Sequence, residues 1–163
     1  MFSVGDKVVH PMHGAGVIQC IVTEKIGGVE KSFYAFEMPV SGLTLKVPVE
    51  NSDAIGLRAV LPMGMIDDVL RSIPALNIDS TGNWNQRYRE NMERIKSGDI
   101  HVVAGVVKSL MLRESERGLS NGERKMLHSA KQILVSEVVL AEDLSYAEAE
   151  EKVNTVMLAK ELV

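Results

Sequence analysis

Cysteine and aromatic residues are scarce in this chain of 163 residues: one cysteine, one tryptophan, three tyrosines and three phenylalanines. A lone thiol, Cys20, excludes an internal disulfide and suits a reducing compartment. No run of about eighteen apolar residues occurs, so no segment is expected to cross a membrane as a helix. The opening Met1-Phe2-Ser3-Val4-Gly5-Asp6 lacks the basic and apolar regions of a secretory signal, and a cytoplasmic location is expected. Catalytic constellations are also missing. His10 and His13 lack the further ligands that a metal geometry needs, and Pro11 and Gly14 beside them read better as a strand-to-turn segment. Gly14-Ala15-Gly16 is too short for a phosphate-binding fingerprint. Cys20 falls in an apolar strand pattern and is expected to be a small buried hydrophobe, while Asp67-Asp68 reads as a solvated pair on a helix. No metal or cofactor is called for, and the chain is read as a non-enzyme. The competing enzymatic reading would have to use the His10/His13 region.

What is present divides into two parts. Up to about residue 50, β-branched and aromatic runs (Lys7–Val9, Val17–Val22, Ser32–Met38, Leu43–Val49) are punctuated by Gly14, Gly16, Gly27-Gly28 and Ser41-Gly42. The Gly27-Gly28 pair suits a tight hairpin turn. Short strands closed by tight turns predict a small SH3-like or Tudor-like β-barrel over residues 1–55. The composition shifts between Asn51 and Leu61, and after Pro62 the apolar period lengthens from two to three or four. A short helix is predicted over Met65–Ile73, stopped by Pro74, then a polar loop over residues 77–83. Four longer helices follow: about 83–97, 99–117, 120–142 and one from Ser145, with Asp99, Ser120 and Ser145 as caps and Gly98 and Gly118 as stops. The whole reads as an α+β protein of two domains, the second a compact helical bundle over residues 62–163.

The stretch Gly82-Asn83-Trp84-Asn85-Gln86-Arg87-Tyr88-Arg89-Glu90 stands out. Thr81 or Asn83 can cap its helix, and Trp84, Arg87 and Tyr88 share one helical face at i, i+3, i+4. An aromatic ring beside guanidiniums suits a groove lined with phosphates and bases. The same spacing equally fits a core tryptophan beneath a solvated cationic face. Net charge is −4, which argues against non-specific nucleic-acid binding by the whole molecule. Charge is uneven, however: four basic and two acidic residues lie between Trp84 and Lys96, against seven acidic and two basic between Glu137 and Val163. Arg113, Arg117, Arg124, Lys125 and Lys131 gather around the loop between two long helices and could extend a phosphate-contacting surface. Lys46, between apolar neighbours, could lie on a sheet edge open to backbone pairing with a partner.

Taken together, Phe2–Gly14, Leu45–Asn51, Asn83–Tyr88, Glu116–Ser120, Glu123–Leu127 and Ala130–Leu134 resemble the CarD family of bacterial transcription regulators over essentially the whole chain. The N-terminal motif by itself is also similar to the polymerase-interacting module of the transcription-repair coupling factor. The resemblance implies a Tudor-like domain that docks on the lobe of the RNA polymerase β subunit. It implies a helical domain that meets promoter DNA at the upstream edge of the melted −10 region, with room for a contact to the housekeeping sigma factor. Lys46 then falls at a basic polymerase-contacting position; the other such position is occupied by Glu24, with Lys25 beside it. Trp84 matches the tryptophan that wedges into the minor groove, with Arg87 and Arg89 next to it and Arg124 and Lys125 as further DNA-facing cations. The implied function is stabilisation of the open complex, ribosomal-RNA promoters included, by a nucleoid-associated, non-enzymatic factor. The alternative is a protein-interaction adaptor without a direct DNA contact.

Overall fold

The computed structural model describes residues 1–76 and 82–159. The polar loop expected over residues 77–83, as far as residue 81, and Thr81 as a cap lie outside the described residues. Five strands, β1 (Lys7–His10), β2 (Gly14–Ile26), β3 (Val29–Glu37), β4 (Thr44–Pro48) and β5 (Arg58–Ala59), form one antiparallel sheet in the order β4-β3-β2-β1-β5. The β2–β3 turn is the Gly27-Gly28 pair, with φ of +59° and +79° joining Ile26 to Val29. Two positive φ angles in succession match the strand twist and exclude most side chains. Val8, Ile18, Tyr34, Phe36, Met38 and Val47 form the sheet's own core, with Leu57 completing it.

The closed barrel expected from the sequence is corrected here: the sheet is open, with β4 and β5 as its edges. β5 spans only two residues, both paired with β1, and no pairing among the described residues joins it to β4. β5 and the four-residue helix α1 (Ser52–Ile55) both fall in the stretch read as a composition shift. Cys20 is the second correction. It is exposed, because the β2–β3 register slips between Ile18 and Cys20 and a bulge resets which residues face inward.

The remainder is helical: α2 (Met63–Ser72), a 3₁₀ turn (Ile73–Ala75), α3 (Trp84–Lys96), α4 (Ile100–Glu116), α5 (Asn121–Glu142) and α6 (Tyr146–Leu158). Asn83, Asp99, Ser120 and Ser145 cap α3 to α6 through side-chain oxygens that accept backbone N–H groups. Apolar stripes from all of them, including Ile66, Ile95, Val107, Leu134 and Val153, make a second core. Asp67 is not simply solvated: Lys152 of α6 reaches both Asp67 and Glu142, while Asp68 stays exposed.

Sheet and helices meet along α5. Gly14 has φ +98°, and a Cβ there would stand 2.6 Å from Ser136 Oγ, so only glycine lets the β1–β2 turn lie against this helix. The Ala15 N–H donates to Ser136 Oγ at 2.9 Å, and the Lys7 ammonium donates to the Leu140 carbonyl at 2.9 Å. Glu137 is fully buried and takes the Arg58 guanidinium in two bonds of 2.7 Å each.

Candidate nucleic-acid interface

Trp84 is the first residue of α3, after Gly82 at φ +104° and the cap Asn83, whose Oδ1 accepts the Gln86 N–H at 2.9 Å. Its ring is stacked on Tyr88, with centroids 5.1 Å apart and planes 22° from parallel. The indole N–H donates to Ser120 Oγ at 2.9 Å. That hydroxyl also accepts the Glu123 N–H and donates to Glu123 Oε1, so its one donor and two acceptor sites are all engaged. Trp84 nonetheless keeps 42% of its surface exposed. It is therefore not a core residue; it is an anchored ring with an open side. Gly122 lies beneath it, 3.5 Å being the distance a Cβ there would keep from Trp84 Cζ2. The N-termini of α3 and α5 thus both end under this ring, and each contributes a partial positive charge.

The cations are arranged less simply than the sequence suggests. Arg87 folds back, donating from Nη1 to the Gly82 carbonyl at 2.7 Å, while its Nε is buried without a partner among the described residues. It holds the start of the helix that presents Trp84. Arg89 is exposed but lies about 140° around the helix axis from Trp84, since each residue turns the helix by about 100°. Arg124 faces Glu114 at 3.8 Å, Arg113 faces Glu123 at 4.0 Å and Lys131 faces Glu150 at 3.8 Å. Lys125 is exposed and lines a cavity of about 160 Å³ with Tyr88, Met92, Met126 and Met12, the last reaching over from the β1–β2 turn.

On the sheet, Lys46 is on edge strand β4 and its ammonium pairs with Glu24. Lys25, the next residue along β2, points to the opposite face of the sheet, as strand alternation requires. The structure therefore brings Lys46 to Glu24 and separates it from Lys25. The His10 and His13 rings lie side by side, centroids 4.6 Å apart and planes tilted by 49°, and His10 Nδ1 accepts the Met12 N–H at 3.1 Å. Burial, with a smaller contribution from His13, lowers the His10 pKa below its ordinary value. No cluster of three metal-ligating side chains occurs among the described residues.

Two features escaped the sequence reading. Ser120 was legible as a cap, and nothing marked it as the tryptophan's partner. Lys108 is buried within α4 and donates to the carbonyls of Ile73, Pro74 and Leu76 at 2.7, 3.1 and 2.9 Å. The available signal was a lone charge inside the apolar run Val106-Val107-Lys108-Ser109-Leu110.

Residues 2–61 match the family described as the CarD-like/TRCF RID domain, and residues 68–154 match the CarD C-terminal domain. YdeB of Bacillus subtilis (strain 168), provisionally designated a transcription factor, is 33% identical over 138 residues, which are 85% of this chain and 90% of that protein. The solution NMR structure of the 72-residue N-terminal domain of Myxococcus xanthus CarD is 29% identical across 36% of this chain and 79% of that one, with a TM-score of 0.32. The chain belongs to the CarD family of transcription regulators.

Proposed function

We propose that this protein is a non-enzymatic regulator of bacterial transcription with a two-handed action. Its sheet, a Tudor-like unit, docks on the lobe of the RNA polymerase β subunit through the β4 side that carries Lys46. Its helices carry Trp84 to promoter DNA at the upstream edge of the −10 bubble. The observation that carries this reading is the anchored, half-open Trp84 ring over two helix N-termini. An apolar wedge at a duplex–bubble junction opposes restacking of the adjacent base pair, a step worth a few kcal/mol. Because Ser120 and Tyr88 already hold the ring, little side-chain freedom is lost when it inserts. The partial charges of α3 and α5 lie where the flanking phosphates would come. A gain of about 1.4 kcal/mol would raise the open-to-closed ratio about tenfold.

The test is open-complex lifetime on a ribosomal-RNA-type promoter with cognate polymerase. A longer lifetime with wild type, most of it lost in Trp84→Ala, is the expected result. Equal lifetimes with no protein, wild type and variant would sink the wedge. One observation favours the adaptor reading, in which the helices make no DNA contact: Arg113, Arg124 and Lys131 each face a carboxylate. A footprint of the complex that shows no protection at the bubble edge would favour it.

A further inference from the structure

The joint between sheet and helices is made by groups that fix an angle. The Arg58 guanidinium donates from Nε to the Gly98 carbonyl at 3.0 Å and from Nη1 to the Ala59 carbonyl at 3.2 Å. It grips both oxygens of Glu137 at 2.7 Å, and Glu137 Oε2 also accepts the Leu61 N–H at 2.9 Å. One planar cation thus ties strand β5, the turn between α3 and α4, and helix α5. The chain leaving β5 is held by the same carboxylate. Ser136 and Leu140, which receive Ala15 and Lys7, lie within one helical turn of Glu137.

Glu137 is fully buried and Arg58 mostly so, and an ion pair drawn out of water in this way contributes little net stability compared with apolar groups of the same volume, since desolvation offsets the attraction. What a bidentate fork supplies is direction: two parallel bonds admit one relative orientation of their bearers. Trp84 contacts Ser120 and Gly122, about 25 Å along α5 from Glu137 at about 1.5 Å per residue. A small change of angle at the pair is a displacement of several ångströms at the ring.

We propose that Arg58 and Glu137 are positioning residues for open-complex stabilisation, setting the angle at which the polymerase-docked sheet presents Trp84 to DNA. The inference rests on the function proposed above. It makes the pair necessary for activity although neither residue would touch polymerase or DNA.

The test uses the full-length chain. Spin labels are placed on Cys20, the exposed native cysteine of the sheet, and on a cysteine replacing exposed Ser115 at the end of α4. The double variant Arg58→Met/Glu137→Leu is expected to fold, to bind polymerase as wild type does, and to broaden the label-to-label distance distribution. The roughly tenfold gain in the open-to-closed ratio is expected to be mostly lost, because the ring is displaced by several ångströms from its place on the DNA. Glu137→Gln, which keeps the shape and an acceptor for Leu61, is the second variant should the double one not fold. A distance distribution as narrow as wild type, or a full lifetime gain despite a broadened one, overturns the proposal. Trp84→Ala, measured alongside, separates the two ideas. If Trp84→Ala shortens the lifetime and the pair variants do not, the positioning role fails alone; if Trp84→Ala has no effect, the wedge itself fails.

Discussion

His10 is held neutral by its surroundings. Its Nδ1 must be free of a proton to accept the Met12 N–H, it is half-buried, and His13 stands beside it. Because its folded pKa is lowered, the folded chain binds fewer protons than the unfolded chain between that value and 6.5. Stability is therefore expected to fall as the pH drops below about 6.5, and to stop falling once the pH passes the lowered value. His10→Asn should flatten this slope, as read from thermal midpoints between pH 5 and 7.5. An unchanged slope would assign it elsewhere. At this scale the sequence was legible for residue types and less so for what they touch. Asn83, Asp99 and Ser145 cap their helices as read, because capping is a local geometry. Arg87 was read as sharing a face with Trp84, whereas its partner, the Gly82 carbonyl, is a backbone atom that no residue pattern marks. Cys20 was misplaced because one bulge inverts every later side chain of a strand.

Elements were read well where their signals were repeated and poorly where they were brief. α3, α4 and α5 begin and end within a residue or so of their expected limits, through caps and glycine stops. The strand β5 was missed, since two residues carry no alternation. The short helix α2 stops before Pro74 as expected, ending at Ser72; Pro74 itself sits in a 3₁₀ turn, and Lys108 from α4 collects the carbonyls released there. Removing that cation strands three acceptors at the end of α2. Lys108→Met is accordingly expected to lower unfolding free energy by about 2 kcal/mol, the cost of leaving buried polar groups unsatisfied. A urea titration with unchanged slope and a lower midpoint would show it, and an unchanged midpoint would mean that water replaces the ammonium without loss.

For the whole molecule the electrostatics are restrained. A net charge of −4 and the pairing of Arg113, Arg124 and Lys131 leave Arg89, Arg117 and Lys125 as exposed cations of this region without a carboxylate partner among the described residues. Binding to free promoter duplex is expected to be weak, with log K falling against log salt at a slope of about −3 or shallower. Anisotropy titrations at several salt concentrations measure it. A slope near −5, on the order expected if all six cations met phosphates, would mean that the ion pairs open on contact. Affinity in the working complex would then come from attachment to polymerase, which raises local concentration without any added DNA contact.

The 22-residue helix α5 passes beneath Trp84 at its start and along the sheet near its end. A helix is a ruler with fixed gradations: one inserted residue advances everything beyond it by about 1.5 Å and swings it through about 100°. Between Ser120 and Ser136, then, the chain has no tolerance for single insertions or deletions, because each would turn Glu137 away from Arg58 or the α5 cap away from Trp84. Loops elsewhere in the molecule can drift in length over evolutionary time. This segment can change letters at its exposed positions, and its count is fixed.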